Sequence, residues 1–115
     1  MKIVNLVDFL AMPPGTVFAK YQPYVFEELM IKADSVIGRP DFYRQIVMEV
    51  DDGTTGCKFN EIIRAENGVS VNFDLDGEGR DGGSSPEQLF AVYESRDVEQ
   101  LIARLQRALV DSGKG

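Results

Sequence analysis

The spacing of apolar residues changes along the chain, and the changes mark the elements. In residues 5–12, NLVDFLAM, apolar positions recur three and four apart. This spacing predicts a short helix with Ile3, Leu6, Val7 and Leu10 on its inner stripe. Asn5 stands where a side chain caps the first turn, and Asp8 places a carboxylate at the positive helix end. Pro13 and Pro14 stop the helix, and Gly15 supplies a turn. Residues 16–21, TVFAKY, and 24–33, YVFEELMIKA, are rich in β-branched and aromatic residues and read as two strands. A tight connection at Gln22-Pro23 makes them a hairpin. Alternation puts Val25, Leu29 and Ile31 on one face of the second strand, and Tyr24, Phe26, Met30 and Lys32 on the other. Both faces keep apolar residues, so the hairpin is expected to be covered on one side and partly covered on the other.

Gly38-Arg39-Pro40 is a turn. Residues 41–50, DFYRQIVMEV, fit either period, since Phe42, Ile46 and Val50 share a face in both; their residue types and turn-like flanks favour a third strand. After the loop DDGTTG, Thr55 is placed to cap a helix through CKFNEIIRAE, with Phe59, Ile62 and Ile63 inward. Asn67-Gly68 closes that helix in left-handed geometry. In residues 69–75, VSVNFDL, Val69, Val71, Phe73 and Leu75 alternate with Ser70, Asn72 and Asp74, the signature of a strand with one buried face. The loop DGEGRDGGSSP leads to EQLFAVYE, read as the partner strand. Asp97 is the expected cap of the last helix, with Gln100 completing a capping box. Val98, Leu101, Ile102, Leu105 and Leu109 form its apolar stripe, and Arg104 and Arg107 sit near its negative end. The order α-β-β-β-α-β-β-α favours hairpins over crossovers. The expected fold is therefore α+β: an antiparallel sheet of about five strands with three helices packed mainly on one face. One compact domain spans residues 1–110, and 111–115 form a disordered tail.

Composition supports a folded chain. Its 115 residues, 43% apolar and 27% charged, suffice for a core without disulfides or metal. No apolar run approaches a membrane span, so no membrane association is expected. The first ten residues are interrupted by Asn5 and Asp8 and lack a small-residue cleavage site, so they do not read as a signal peptide. The single cysteine, Cys57, precludes an internal disulfide, which suits a reducing cytoplasm. Charge adds more. The net charge is −7, and residues 49–81 carry nine acids against three bases, −6 of that total. Such a surface repels phosphate backbones, which argues against direct nucleic-acid binding. It suits a basic partner, including the nucleic-acid groove of another protein.

The candidate chemistry is sparse. There is no histidine, which removes the commonest general base and metal ligand. Cys57 has no histidine to activate it and reads as a buried or capping residue. No glycine-rich phosphate loop is present, and Asp51 and Asp52 fall in an exposed loop. Neither an enzyme nor a cofactor is expected. Asp74, Asp76, Glu78 and Gly79 occupy positions one, three, five and six of a calcium loop, but Asp81 and Ser85 stand where an apolar residue and a bidentate glutamate belong. No metal site is expected there. Within the same loop, glycines frame Arg80 among acids. They allow it to reach a phosphate or carboxylate ligand, or to pair with Asp76 or Glu78. Tyr21, Tyr24 and Phe26 cluster around the first hairpin turn, and tyrosine suits half-buried contacts. The candidate partner- or ligand-contact residues are thus Tyr21, Tyr24, Phe26, Asp76, Glu78, Arg80 and Asp81.

Three stretches taken together, DFLAMPPGTVFAKYQP, RDGG…QLFAVYE and DVEQLIARLQRAL, resemble short accessory proteins encoded by tailed bacteriophages and prophages. The resemblance implies a protein made in the cytoplasm of a bacterial host. Many small acidic phage proteins inhibit host immunity, anti-CRISPR proteins among them. The first expectation is accordingly an inhibitor that contacts a basic surface of a host defence complex, steered by its acids and anchored by its tyrosines. The alternative is a sponge for a nucleotide-type immune signal, stacked on Tyr24 and Phe26 with Arg80 on its phosphate. A virion structural or assembly protein is a third reading. A homodimer is compatible with all three.

Overall fold

The computed structural model describes residues 1–48, 63–70 and 78–113. The elements are β1 (Lys2–Val4), α1 (Leu6–Leu10), β2 (Val17–Gln22), β3 (Val25–Phe26), β4 (Met30–Ser35), β5 (Phe42–Ile46), a helical turn α2 at 63–66, β6 (Gly79–Arg80), β7 (Leu89–Tyr93) and α3 (Ser95–Asp111). The strands form one antiparallel sheet in the order β1-β7-β2-β4-β5-β6, with β3 pairing to β2. The α+β class is as the sequence predicts, with seven strands among the described residues where about five were expected.

Three differences lie behind the higher strand count, one of them β6, which falls in the stretch read as the loop DGEGRDGGSSP. Lys2–Val4, read as the approach to the first helix, pairs with β7 and makes an edge strand. The stretch 24–33 is not one strand but two, β3 and β4, which both pair along β2. Residues 27–29 leave the ladder between them, and this break reverses the alternation. Met30 and Lys32 do share the core face, as predicted. Phe26 instead stands opposite Tyr21, on the other face. β7 is paired by β1 on one edge and β2 on the other; residues 71–75 of its expected hairpin partner lie outside the described residues.

One face of the sheet carries the core. Phe9 of α1 stacks on Phe90 at a centroid distance of 4.1 Å and meets Phe18 at 4.6 Å and Phe42 at 5.0 Å. All four rings are fully buried, with Leu6, Met30 and Val92 beside them. The inner stripe of α1 is therefore Leu6 and Phe9, with Leu10 partly buried, and not the expected set. Val7 is 76% exposed and Ile3 lies in β1. A five-residue helix offers only one inward turn, and Phe9 follows Leu6 by three positions. The Asn5 cap forms as predicted, its side chain accepting from Asp8 N–H at 2.8 Å.

Val17 and Tyr93 alternate with Phe18 and Val92 and so face the opposite side. Val98 of α3 lies beside them, between two surface hollows. Helices α1 and α3 thus serve different faces of the sheet, where the sequence reading expected the helices mainly on one. α3 starts three residues earlier than predicted. Glu94 is its N-cap and Asp97 its third residue, with the Asp97 carboxylate accepting from Glu94 N–H at 2.9 Å. The capping-box chemistry is right, but its register is three residues earlier. Gly68 closes α2 as expected. Its φ is +82°, and Val69 N–H and Gly68 N–H reach Arg64 and Ala65 carbonyls at 3.0 Å, a Schellman motif. Cys57, the Thr55 cap, Asp51, Asp52, Val50, Asp76 and residues 71–75 lie outside the described residues.

Candidate functional site

The Arg80 loop is organised from within. Asp41, almost wholly buried, accepts from Phe42 N–H (2.8 Å), Gly82 N–H (2.9 Å) and Gly83 N–H (3.0 Å) through Oδ1. Its Oδ2 receives Arg80 Nε at 3.0 Å. Gly82 and Gly83 have φ of +95° and +100°. That left-handed geometry turns two successive amides onto one carboxylate, an anion nest. Burial alone would raise the Asp41 pKa, but the three amide bonds and Arg80 outweigh it and hold it below the ordinary value. Next to it, Asp81 pairs with Lys20 at 2.8 Å and accepts from Ser84 Oγ at 3.2 Å. The glycine-framed arginine does meet a carboxylate, but it is the chain's own Asp41. Of the two partners expected for it, Glu78 is exposed and Asp76 lies outside the described residues.

The second cluster is the β2–β3 hairpin. Gln22 pairs with Val25, so Pro23 and Tyr24 form its two-residue turn. Pro23 presets the second turn position, and Tyr24 sits at the third with φ +66°, the arrangement of a type II turn. That position favours glycine. Tyr24 is the one non-glycine residue at positive φ among the described residues, and it is 95% exposed. Its amide is held by Tyr21 Oη at 3.1 Å, and the Tyr21 ring packs edge-on against Phe26 at 5.0 Å. Tyr21, Tyr24 and Phe26 are therefore brought together. Asp81 is not with them, because its partner Lys20 alternates with Tyr21 and points to the other face; Arg80, in β6 opposite Tyr43, is separated from β2 by β4 and β5.

Beside the hairpin lies a hollow of about 330 Å³ lined by Phe26, Leu29, Val98 and Leu101, with Asp97 and Arg104 at its margin. The α3 stripe continues from it unburied: Ile102 is 50%, Leu105 61% and Leu109 54% exposed. Sequence periodicity found this stripe but read it as interior. No helix residue on it is fully buried. Met1 closes one end of the hollow, its amino group 2.6 Å from Asp97 and 3.0 Å from Glu94. Two side chains that sequence reasoning passed over matter as well. Asp41 organises the Arg80 loop, and Lys32 is buried under Phe9.

Lys32 owes its position to a bulge. Two β4 residues, Ala33 and Asp34, stand opposite Tyr43 alone, because Lys32 pairs with Arg44 and Ser35 with Phe42. Lys32 and Ser35, three apart, therefore meet on one face. Lys32 Nζ donates to Ser35 Oγ (2.9 Å) and Ala33 O (3.0 Å), and Ser35 Oγ donates to the Leu10 carbonyl at the end of α1 (2.7 Å). Burial lowers its pKa, partly offset by Asp34.

Among the described residues no group of three acidic or thiol side chains is close enough to hold a metal. No described helix is long and apolar enough to cross a membrane. No family model matches the chain, and neither a curated protein nor a solved structure matches it.

Proposed function

We propose that this chain is a binding protein that acts by protein–protein contact through the β2–β3 hairpin and the adjoining face of α3. The observation that carries the reading is Tyr24. An aromatic side chain held almost fully in solvent, in a backbone conformation that glycine would adopt without strain, is poorly explained by folding alone. Tyr21 fixes the turn, so the ring is presented in an ordered loop, and ordered aromatics are the residue type that dominates contact energies. The resemblance of the sequence to phage accessory proteins gives this proposal its setting: inhibition of a bacterial immune complex in the host cytoplasm. With no histidine in the chain, the proposal is of a binder and not of an enzyme.

The nucleotide-sponge reading loses its motivation, since Arg80 is engaged by Asp41 and sits in β6, with β4 and β5 between it and β2. Cyclic nucleotides and ADP-ribose derivatives are expected to leave the melting temperature unchanged; a clear rise with any of them would restore that reading. The contact proposal is tested by capture from bacterial lysate on the immobilised chain and on Tyr24→Gly, read by mass spectrometry. A protein held by the natural chain and lost by the variant, with equal melting temperatures, is the expected result. Identical captures would overturn the proposal.

A further inference from the structure

The exposed stretch of α3 from Gln100 to Val110 differs in charge from the rest of the molecule, and this difference bears on its partner. The chain carries −7 overall, yet α3 has no acidic side chain from Gln100 to Val110, only Arg104 and Arg107. Both arginines are exposed, and neither makes a hydrogen bond or ion pair among the described residues. Arg104 stands at the margin of the hollow formed by Phe26, Leu29, Val98 and Leu101, which has room for a large apolar side chain. Resting on the contact reading above, we infer that the partner offers an acidic amphipathic segment: an apolar anchor for the hollow, and a carboxylate within reach of Arg104. An apolar pocket beside an unpaired guanidinium recognises that combination, because the guanidinium binds a carboxylate bidentately while the pocket fixes the register. This reverses the expectation from net charge, which pointed to a basic partner.

Two other occupants fit less well. A second copy laid antiparallel on the α3 stripe, with its two-fold axis between Leu105 and Gln106, brings Arg104 of one chain level with Arg107 of the other and joins two bodies of −7. An anionic bilayer repels the same net charge. The test is a displayed random-peptide library panned on the full chain, with binders ranked by composition and measured on Arg104→Glu and Phe26→Ser. Both substituted side chains are exposed, and melting temperatures verify the fold. The expected result is enrichment of Asp and Glu beside Leu, Ile or Phe, with a loss of about tenfold or more on Arg104→Glu. Neutral or basic binders that are lost on Phe26→Ser but indifferent to Arg104→Glu would overturn the acidic partner and leave the contact surface standing. Binders indifferent to both variants would remove both readings. Co-sedimentation with phosphatidylglycerol vesicles, or a dimer broken by Leu105→Glu, would assign the stripe to a membrane or to a second copy, against the inference.

Discussion

At the scale of single residues, the chain separates side chains that build the fold from those it leaves in solvent. Phe9 touches three other buried rings, so Phe9→Ala should cost about 3–5 kcal/mol in urea unfolding, whereas Val7→Ala, one helical step away, should change stability by less than about 0.5 kcal/mol. The sequence pattern would have ranked these two the other way. Tyr24→Gly is expected to leave the melting temperature unchanged or to raise it, because glycine adopts φ +66° without the left-handed penalty. A large fall in melting temperature would show that the ring supports the fold. Gly82→Ala should destabilise by about 1 kcal/mol, since φ +95° is costly for any residue with a Cβ. The glycines of GRDGG were legible as a loop designed to approach an anion. That the anion is Asp41 was not, because 39 residues separate it from Arg80 and nothing local links them.

At the scale of elements, the strands with β-branched and aromatic cores, β2, β5 and β7, were readable from composition and flanking turns. The break between β3 and β4 was not. EEL carries no glycine or proline, and the interruption arises because two strands share one edge of β2. The bulge at Ala33-Asp34 is of the same kind, set by pairing with β5. Of the candidate contact residues, Tyr21, Tyr24 and Phe26 were legible as a cluster because they flank one tight turn. Arg80 and Asp81 were grouped with them on charge alone; Asp81 meets Lys20 on the other face, and Arg80 sits in β6, with β4 and β5 between it and β2. α3 illustrates a further limit. Its stripe is correctly spaced, but the sheet is too short to cover more than its first turns, so the periodicity of a helix does not reveal how much of it is packed. Leu105→Ser and Leu109→Ser are accordingly expected to change unfolding free energy by less than about 0.5 kcal/mol, where a core leucine truncated to a small side chain would cost several times that.

At the scale of the whole molecule, titration of two buried groups should shape stability against pH. The Asp41 pKa is held below its ordinary 3.8 in the folded state, so its contribution is complete above that value and disappears as pH falls through the folded pKa. Asp41→Asn should flatten the acid limb of a stability–pH curve. The Lys32 pKa is lowered below 10.5, so the folded state sheds its proton first and stability rises with pH between the folded pKa and 10.5. Tyr93, raised by burial and by Asp97, opposes this above pH 10. Lys32→Met should abolish the alkaline rise, measured by urea unfolding from pH 8 to 10.

The sequence by itself determined the α+β class, the main strands, the caps at Asn5 and Gly68, and the presence of an aromatic hairpin and an amphipathic last helix. All of these follow from interactions a few residues apart, where spacing and side-chain type decide the local conformation. Tertiary structure alone decided that Phe9 and not Val7 lies inside, that Asp41 closes the Arg80 loop, that Lys32 is buried, and that half of α3 stays uncovered. Each depends on which distant strand lies alongside. In a sheet that joins residue 2 to residue 92, that neighbour is chosen by the packing of the whole chain.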